Sequence, residues 1–320
     1  MRKWTAFTCW ALAVLLLLSP LFVQAENDWT DEEWIQINEA LEGGDKQIEL
    51  LEYFRVMVAP GDLNVTAGLG SDWLNIMLLG TDSDFSMMLN GGSSDLTIIA
   101  SINVKTGEIK LTSLVRDMYV HIPGINRPNR LNVTNAFGGP LLVIKTVNTE
   151  FGMNIEKYCS INFRGYVEVI DLLGGVELSL TIPEAKICKA RYTTEPQTLS
   201  GEQALEYSRI HTVLGGNFKA ADRNKNVLQS IIRKLKSGTS IGDIINMITV
   251  ALGYMDTNLT VNDIITLTAA IARNKDLTIE TLSLPQDGDW HYDASPWGLS
   301  VVAFDRDAAQ AALYSFIYNE

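Results

Sequence analysis

Positive charge is in short supply: 25 Lys and Arg residues face 38 Asp and Glu, a net charge of −13 at pH 7. The basic residues form no cluster, so nothing offsets the repulsion of a polyanion, and nucleic acid is not a partner this chain is built for. Cysteine is scarce too, with three residues. Cys9 comes too early to be a lipoprotein cysteine, and neither Cys159 nor Cys188 has the neighbours of a zinc site or a nucleophile. Those two either pair in an oxidising compartment or stay as buried free thiols. No internal repeat occurs, which excludes solenoid architectures.

Charge is absent altogether between Lys3 and Glu26. Arg2 and Lys3 precede an apolar run centred on Leu12 to Leu18, then Pro20, then the small-residue site Val23-Gln24-Ala25. This is the pattern of a secretory leader. The same stretch is long enough for a membrane anchor, although Pro20 and Ala25 favour cleavage. In either case everything after Glu26 lies outside the cytoplasm, secreted or held at the outer face of the membrane. Cleavage removes two positive charges and takes the net charge from −13 to −15.

What is abundant is apolar sequence, 47% of the chain, enough for a large core. Residues 26–70 form an acidic lead-in of helical pattern, with Trp29, Ile35, Ile37 and Leu41 in one segment and Ile48, Leu50, Leu51, Phe54 and Val58 in another, divided at Gly43-Gly44. The main domain is expected over 71–320. Leu74 to Leu79, Leu96 to Ile102 and Ile109 to Val115 are continuous apolar runs of strand length, the last two forming a hairpin about Gly107. Further along, the patterns predict a helix over Leu141 to Phe151, a strand over Tyr158 to Phe163, a helix over Gly165 to Leu173 and a strand over Val176 to Leu180. Helices over Ser200 to Ser208, with Ser200 as N-cap, and over Asp222 to Lys236 come next. Helices are also expected over Ile241 to Tyr254 and Val261 to Arg273, a strand near Leu277 to Leu284, and a loop over Trp290 to Trp297. Strands alternating with helices indicate an α/β fold, a three-layer α/β/α domain with a mixed central sheet.

Charged residues stand where these elements end. Asp82 follows the first strand, Asp95 precedes the second and Arg116 follows the third. If the strands are neighbours, both carboxylates reach one edge of the sheet, a donor set suited to Mg²⁺, and Arg116 brings an anion site beside it. Each residue alone also fits a plainer role: a turn at Asp82, a cap at Asp95, an ion pair within Arg116-Asp117 and a helix-end cation at Arg209.

The order of the segments says more than spacing does. Asn75-Ile76-Met77-Leu78-Leu79-Gly80-Thr81-Asp82-Ser83, Ser94-Asp95-Leu96, Ser113-Leu114-Val115-Arg116-Asp117 and Leu131-Asn132-Val133-Thr134-Asn135-Ala136-Phe137-Gly138-Gly139 occur in series. Asn162-Phe163-Arg164-Gly165, Asp171-Leu172-Leu173-Gly174-Gly175-Val176 and Leu199-Ser200-Gly201-Glu202-Gln203-Ala204-Leu205-Glu206-Tyr207-Ser208-Arg209 follow. Over about 71–235 this series resembles the LytR-CpsA-Psr family of cell-envelope glycopolymer transferases. The resemblance implies an α/β/α domain whose apolar pocket sheathes a polyprenyl chain, and transfer of a phosphoglycan from the lipid pyrophosphate to a peptidoglycan or other wall hydroxyl, with Mg²⁺ as cofactor, at a membrane surface. It makes Asp82 and Asp95 the metal-site aspartates, and Arg116, Arg209 and Arg223 pyrophosphate-binding arginines.

Departures thin that anion clamp. Ser93 and Ala220 stand where the family has arginines, His211 replaces the second arginine of Arg-x-Arg, and Asn224 stands in place of a glutamine. His211 and Asn224 are nonetheless placed among the pyrophosphate contacts by position. The resemblance therefore implies a transferase, with two alternatives: a degenerate member that binds prenyl phosphate or glycan without turnover, and a prenyl-pyrophosphate phosphohydrolase.

Overall fold

A computed structural model describes residues 56–81, 92–193, 195–210, 216–236, 251, 253–274 and 279–319. The leader, the lead-in before Val56 and the greater part of the helix expected over Ile241 to Tyr254 lie outside the described residues.

The apolar runs become adjacent strands. β1 (Trp73–Thr81), β2 (Ser94–Asn103) and β3 (Ile109–Leu114) are antiparallel neighbours. β6 (Lys157–Asn162) lies parallel to β1, β9 (Met255–Thr257) antiparallel to β6, and β10 (Ile279–Leu284) parallel to β3. The sheet is mixed and six-stranded, in the order β10-β3-β2-β1-β6-β9. Small two-stranded pieces flank it: β4 (Tyr119–Val120) with β5 (Asn129–Arg130), and β7 (Val176–Leu178) with β8 (Gln197–Leu199).

Alternation along β1 divides the core, as a period of two requires. Met77 and Leu79 pack under α1 (Val133–Phe151) and α7 (Arg306–Tyr318), whereas Ile76 and Leu78 face α5 (Gly216–Lys236) and α6 (Val261–Arg273). A satellite core joins α2 (Phe163–Leu172), α3 (Ile182–Ile187) and α4 (Gly201–Ser208) to β7 and β8. The three layers are those the sequence predicts.

Local signals explain several boundaries. Ser200 caps α4 through a reciprocal box with Gln203, and Asn162 accepts a hydrogen bond from the Gly165 amide to start α2. The helix predicted from Leu141 begins earlier, at Val133, because two helical segments join across a kink at Gly139 (φ 68°) and Pro140. Pro140 lacks an amide hydrogen and looks in sequence like a start. Residues 56–70 contain no helix; Leu63 is buried in the core, and its carbonyl accepts from Asn148.

One expectation needs correction, and one open alternative is decided. The region 290–304 is a hairpin of β11 (Trp290–Ala294) and β12 (Ser300–Phe304), not a loop. Cys159 and Cys188 are free, their thiols pushed up to about 12 and about 11 by burial and by nearby carboxylates, so neither is primed to react.

Gly107 is the tight point of the β2–β3 turn, at φ +79°, where a Cβ would lie 2.1 Å from the Ala270 carbonyl oxygen of α6. Gly107→Ala combines a left-handed conformation with a backbone clash and is expected to cost about 2–4 kcal/mol in a thermal melt. Little change there would show that α6 is not seated on this turn.

Candidate functional site

The strand register brings the ends of β1 and β2 to one edge of the sheet. Thr81 pairs with Ser94, and these precede Asp82 and Asp95 in sequence. Asp82 itself lies outside the described residues, as does His211. Asp95 accepts a hydrogen bond from Arg116 Nη1 at 2.8 Å. Arg116 Nε also lies 3.6 Å from Asp117, which is 3.9 Å from Arg130 Nη1. Arg116 therefore sits between two carboxylates at the end of β3. The expected ion pair within Arg116-Asp117 exists, and the pair with Asp95 exists beside it.

Backbone bonds fix this edge from behind. The Asn132 amide donates to the Arg116 carbonyl, and the Ser94 amide donates to the Asn132 carbonyl. Residue 132 thus ties the end of β3 to the start of β2, and a shift in either strand would be shared by Asp95 and Arg116.

Asp95 opens onto a narrow cleft of about 30 Å³, which Arg209 and Asn224 also line. Leu96, Ile161, Phe163 and Leu205 make its walls apolar. The Arg209 guanidinium rests 4.6 Å above the Phe163 ring, a cation–π contact that orients its fork. Deeper in the wall, the Tyr166 and Ser208 hydroxyls share a 2.7 Å hydrogen bond, and burial raises the phenol pKa well above its ordinary value. Charged groups at the rim of an apolar slot suit an amphiphile with an anionic head.

Asp95, Arg116, Arg209 and Asn224 are thus brought together. Arg223 is not. It is 4% exposed and donates through Nε to Glu184 at 2.8 Å and through Nη1 to the Ile210 carbonyl at 2.7 Å, lining a separate polar cavity with Lys225 and Asn226. Adjacent residues of α5 point to different sides of the helix, so Asn224 reaches the cleft while Arg223 clasps α3. Arg223 thus forms a buried ion pair and lines the polar cavity, not the apolar cleft.

Sequence reasoning gave no role to Phe163, Tyr166 or Arg130. Phe163 belongs to the Asn162-Phe163-Arg164-Gly165 motif, but its place under Arg209 depends on the packing of α2 against α4.

Oxygen donors are what a hard divalent cation takes, and Asp95 at this edge fits one. The buried Thr81 hydroxyl beside it has no hydrogen-bond partner among the described residues, a further oxygen at the same end of the sheet. Among the described residues no group of three or more acidic, His or Cys side chains is assembled, so a metal here would keep several water or phosphate ligands.

The LytR_cpsA_psr family model matches residues 33–312. The chain belongs to the LytR-CpsA-Psr family. The matched span runs through the β11–β12 hairpin and about the first half of α7. One relative, polyisoprenyl-teichoic acid–peptidoglycan teichoic acid transferase TagU of Enterococcus faecalis, is 33% identical over 192 residues, covering 59% of this chain and 62% of its own length. The protein of the same name from Oceanobacillus iheyensis is 31% identical over 237 residues, 70% of this chain and 72% of its own. The chain thus spans about three-fifths to three-quarters of these relatives. The crystal structure of B. subtilis TagT shares the fold at a TM-score of 0.63 and 24% identity, covering 82% of this chain and 99% of that one.

Proposed function

We propose that this chain is an extracytoplasmic transferase, working at the outer face of the cytoplasmic membrane, that moves a polyprenyl-pyrophosphate-linked glycopolymer onto a hydroxyl of peptidoglycan or a similar wall acceptor. The observation that carries the reading is the convergence of Asp95, paired with Arg116, and of Arg209 and Asn224 on the mouth of one apolar cleft. The names of the TagU relatives point the same way.

In this reading the prenyl chain lies along Leu96, Ile161, Phe163 and Leu205, and the diphosphate meets Arg116 and Arg209. Guanidinium forks match pairs of phosphate oxygens and neutralise charge that builds on them in transfer. The acceptor oxygen bonds to the glycan-side phosphorus, the bridging P–O bond breaks, prenyl phosphate leaves and the hydroxyl proton is lost. Asp82 and Asp95 would hold Mg²⁺, which supplies charge neutralisation of the diphosphate when bound. Arg209 is oriented by Phe163, and Asn224 offers a neutral amide where a longer one is usual.

The retirement of Arg223 into an ion pair, together with neutral Ser93, favours as second reading a member that binds prenyl pyrophosphate without consuming it. One assay separates the readings: full chain, prenyl-pyrophosphate oligosaccharide, Mg²⁺ and a peptidoglycan fragment. Transfer with release of prenyl phosphate is expected. Ligand-induced stabilisation with no product would support the binder, and phosphate release without acceptor the phosphohydrolase.

A further inference from the structure

We infer that the polar cavity beside Arg223 is a subsite for one uncharged sugar ring. Whose sugar it holds, the donor glycan's or the acceptor strand's, rests on the transferase reading; that it holds a sugar does not.

The cavity lies on the other side of α5 from the cleft. Asn224 of α5 and Leu205 of α4 line the cleft, whereas Asp222, Lys225 and Asn226 of α5 and Tyr207 of α4 line the cavity. The two openings therefore share a wall of two helices. β10 closes the far side: Thr281 lines the cavity, and Ser283, on the same face two residues on, accepts from Lys225 Nζ at 2.8 Å. That strand ends against the anion site, where the amide of Val115, next to Arg116, donates to the Leu284 carbonyl.

The cavity is large and its floor is charged. Its volume is about 430 Å³, inside the range of about 300–1,000 Å³ usual for small-ligand sites. Glu184, Arg223 and Lys225 are each more than nine-tenths buried, and Lys225 is tied to Asp222 at 2.9 Å as Arg223 is to Glu184 at 2.8 Å. Ion pairs taken out of bulk water typically stabilise a fold no more than apolar packing would. These two are not packed over; they face an open space.

Charge and polarity select the ligand. Each cation in the floor is matched by a carboxylate, so neither a phosphate nor an ammonium group gains by entering. An apolar group would strip water from the pairs without replacing its hydrogen bonds. Sugar hydroxyls both donate and accept, so one ring can give to Asp222 and Glu184 and receive from Lys225 and Asn226, taking the place of water. Ser179, Asn226 and Thr281 are exposed at the rim and leave the way in open.

Saturation-transfer NMR of N-acetylglucosamine with the full chain tests this without donor or metal. Saturable binding is expected. Thr281→Trp, which sets a bulky ring at the opening from an exposed position, should block it, and Asp222→Asn, which weakens an acceptor, should reduce affinity about tenfold. Glu280→Ala, on the opposite face of β10, should bind as the parent does, and a thermal melt of each variant shows that it folds. No binding, or parent-like binding by both Thr281→Trp and Asp222→Asn, overturns the subsite. In the transfer assay Thr281→Trp should raise one KM alone: that of the lipid-linked donor where the cavity holds its glycan, that of the peptidoglycan fragment where it holds the acceptor. An active variant in which neither KM moves also overturns it. Binding blocked by Thr281→Trp, in a chain that transfers nothing, would uphold the subsite and sink the transferase reading instead.

Discussion

Arg116→Ala is expected to lower transfer by about 10³-fold while the domain still folds. The fork of Arg116 is aimed by Asp95 at 2.8 Å and Asp117 at 3.6 Å, and its backbone is held by the Asn132 amide. Such an aligned cation supplies its stabilisation as charge develops on the transferring phosphoryl group, with no reorganisation needed. Stability should respond weakly. The side chains of Arg116 and Asp95 are 28% and 19% exposed, and an ion pair so placed contributes about 1 kcal/mol or less. Arg116→Lys keeps the charge without the two-pronged geometry and should fall between, at about 10- to 100-fold. Steady-state release of prenyl phosphate, measured beside a thermal melt, separates the two effects. Unchanged turnover in Arg116→Ala would reduce the residue to a local ion pair.

Arg223→Ala should behave in the opposite manner, destabilising the fold by about 3–5 kcal/mol, because Glu184 would keep a buried charge without its partner. Glu184 also accepts from the Thr181 amide and hydroxyl, so it anchors α3 as well as α5. Burial pushes the Glu184 carboxyl up, but the hydrogen bonds from Arg223 and Thr181 outweigh it, and the net direction is below 4.5. The native state therefore binds this proton more weakly than the unfolded chain does. The pair's contribution is present above the ordinary carboxylate range and is lost as pH falls through the lowered native value. Replacing both partners, as Glu184→Gln with Arg223→Met, should recover part of the loss, since no lone charge remains. Denaturant titrations of Glu184→Gln, of Arg223→Met and of the double give the coupling. A stable Arg223→Ala that fails to bind prenyl pyrophosphate would return Arg223 to the anion clamp.

These two arginines show how far the sequence could be read. Arg116 was legible because it ends a strand whose neighbours were also legible: β1, β2 and β3 are unbroken apolar runs, and their pairing follows from the Gly107 turn and the Thr81–Ser94 register. Arg223 was not, since its fate depends on Glu184, 39 residues away on another helix. The same is true of Phe163 beneath Arg209. The hairpin near Trp290 has the sequence of a loop because β11 is exposed along almost its whole length and lacks the alternation of a half-buried strand. The first turns of α1 were hidden by Gly138-Gly139-Pro140, which punctuate the sequence more strongly than they break the helix.

The claim beneath all of this is that one cleft holds both ends of an amphiphile. The direct measurement is a crystal structure of the full chain with a prenyl pyrophosphate and Mg²⁺. The diphosphate should lie within hydrogen-bond distance of Arg116 and Arg209, with the chain running inward past Leu96 and Phe163. A diphosphate seated instead beside Arg223 and Lys225, or a cleft left empty at saturating ligand, would contradict the account.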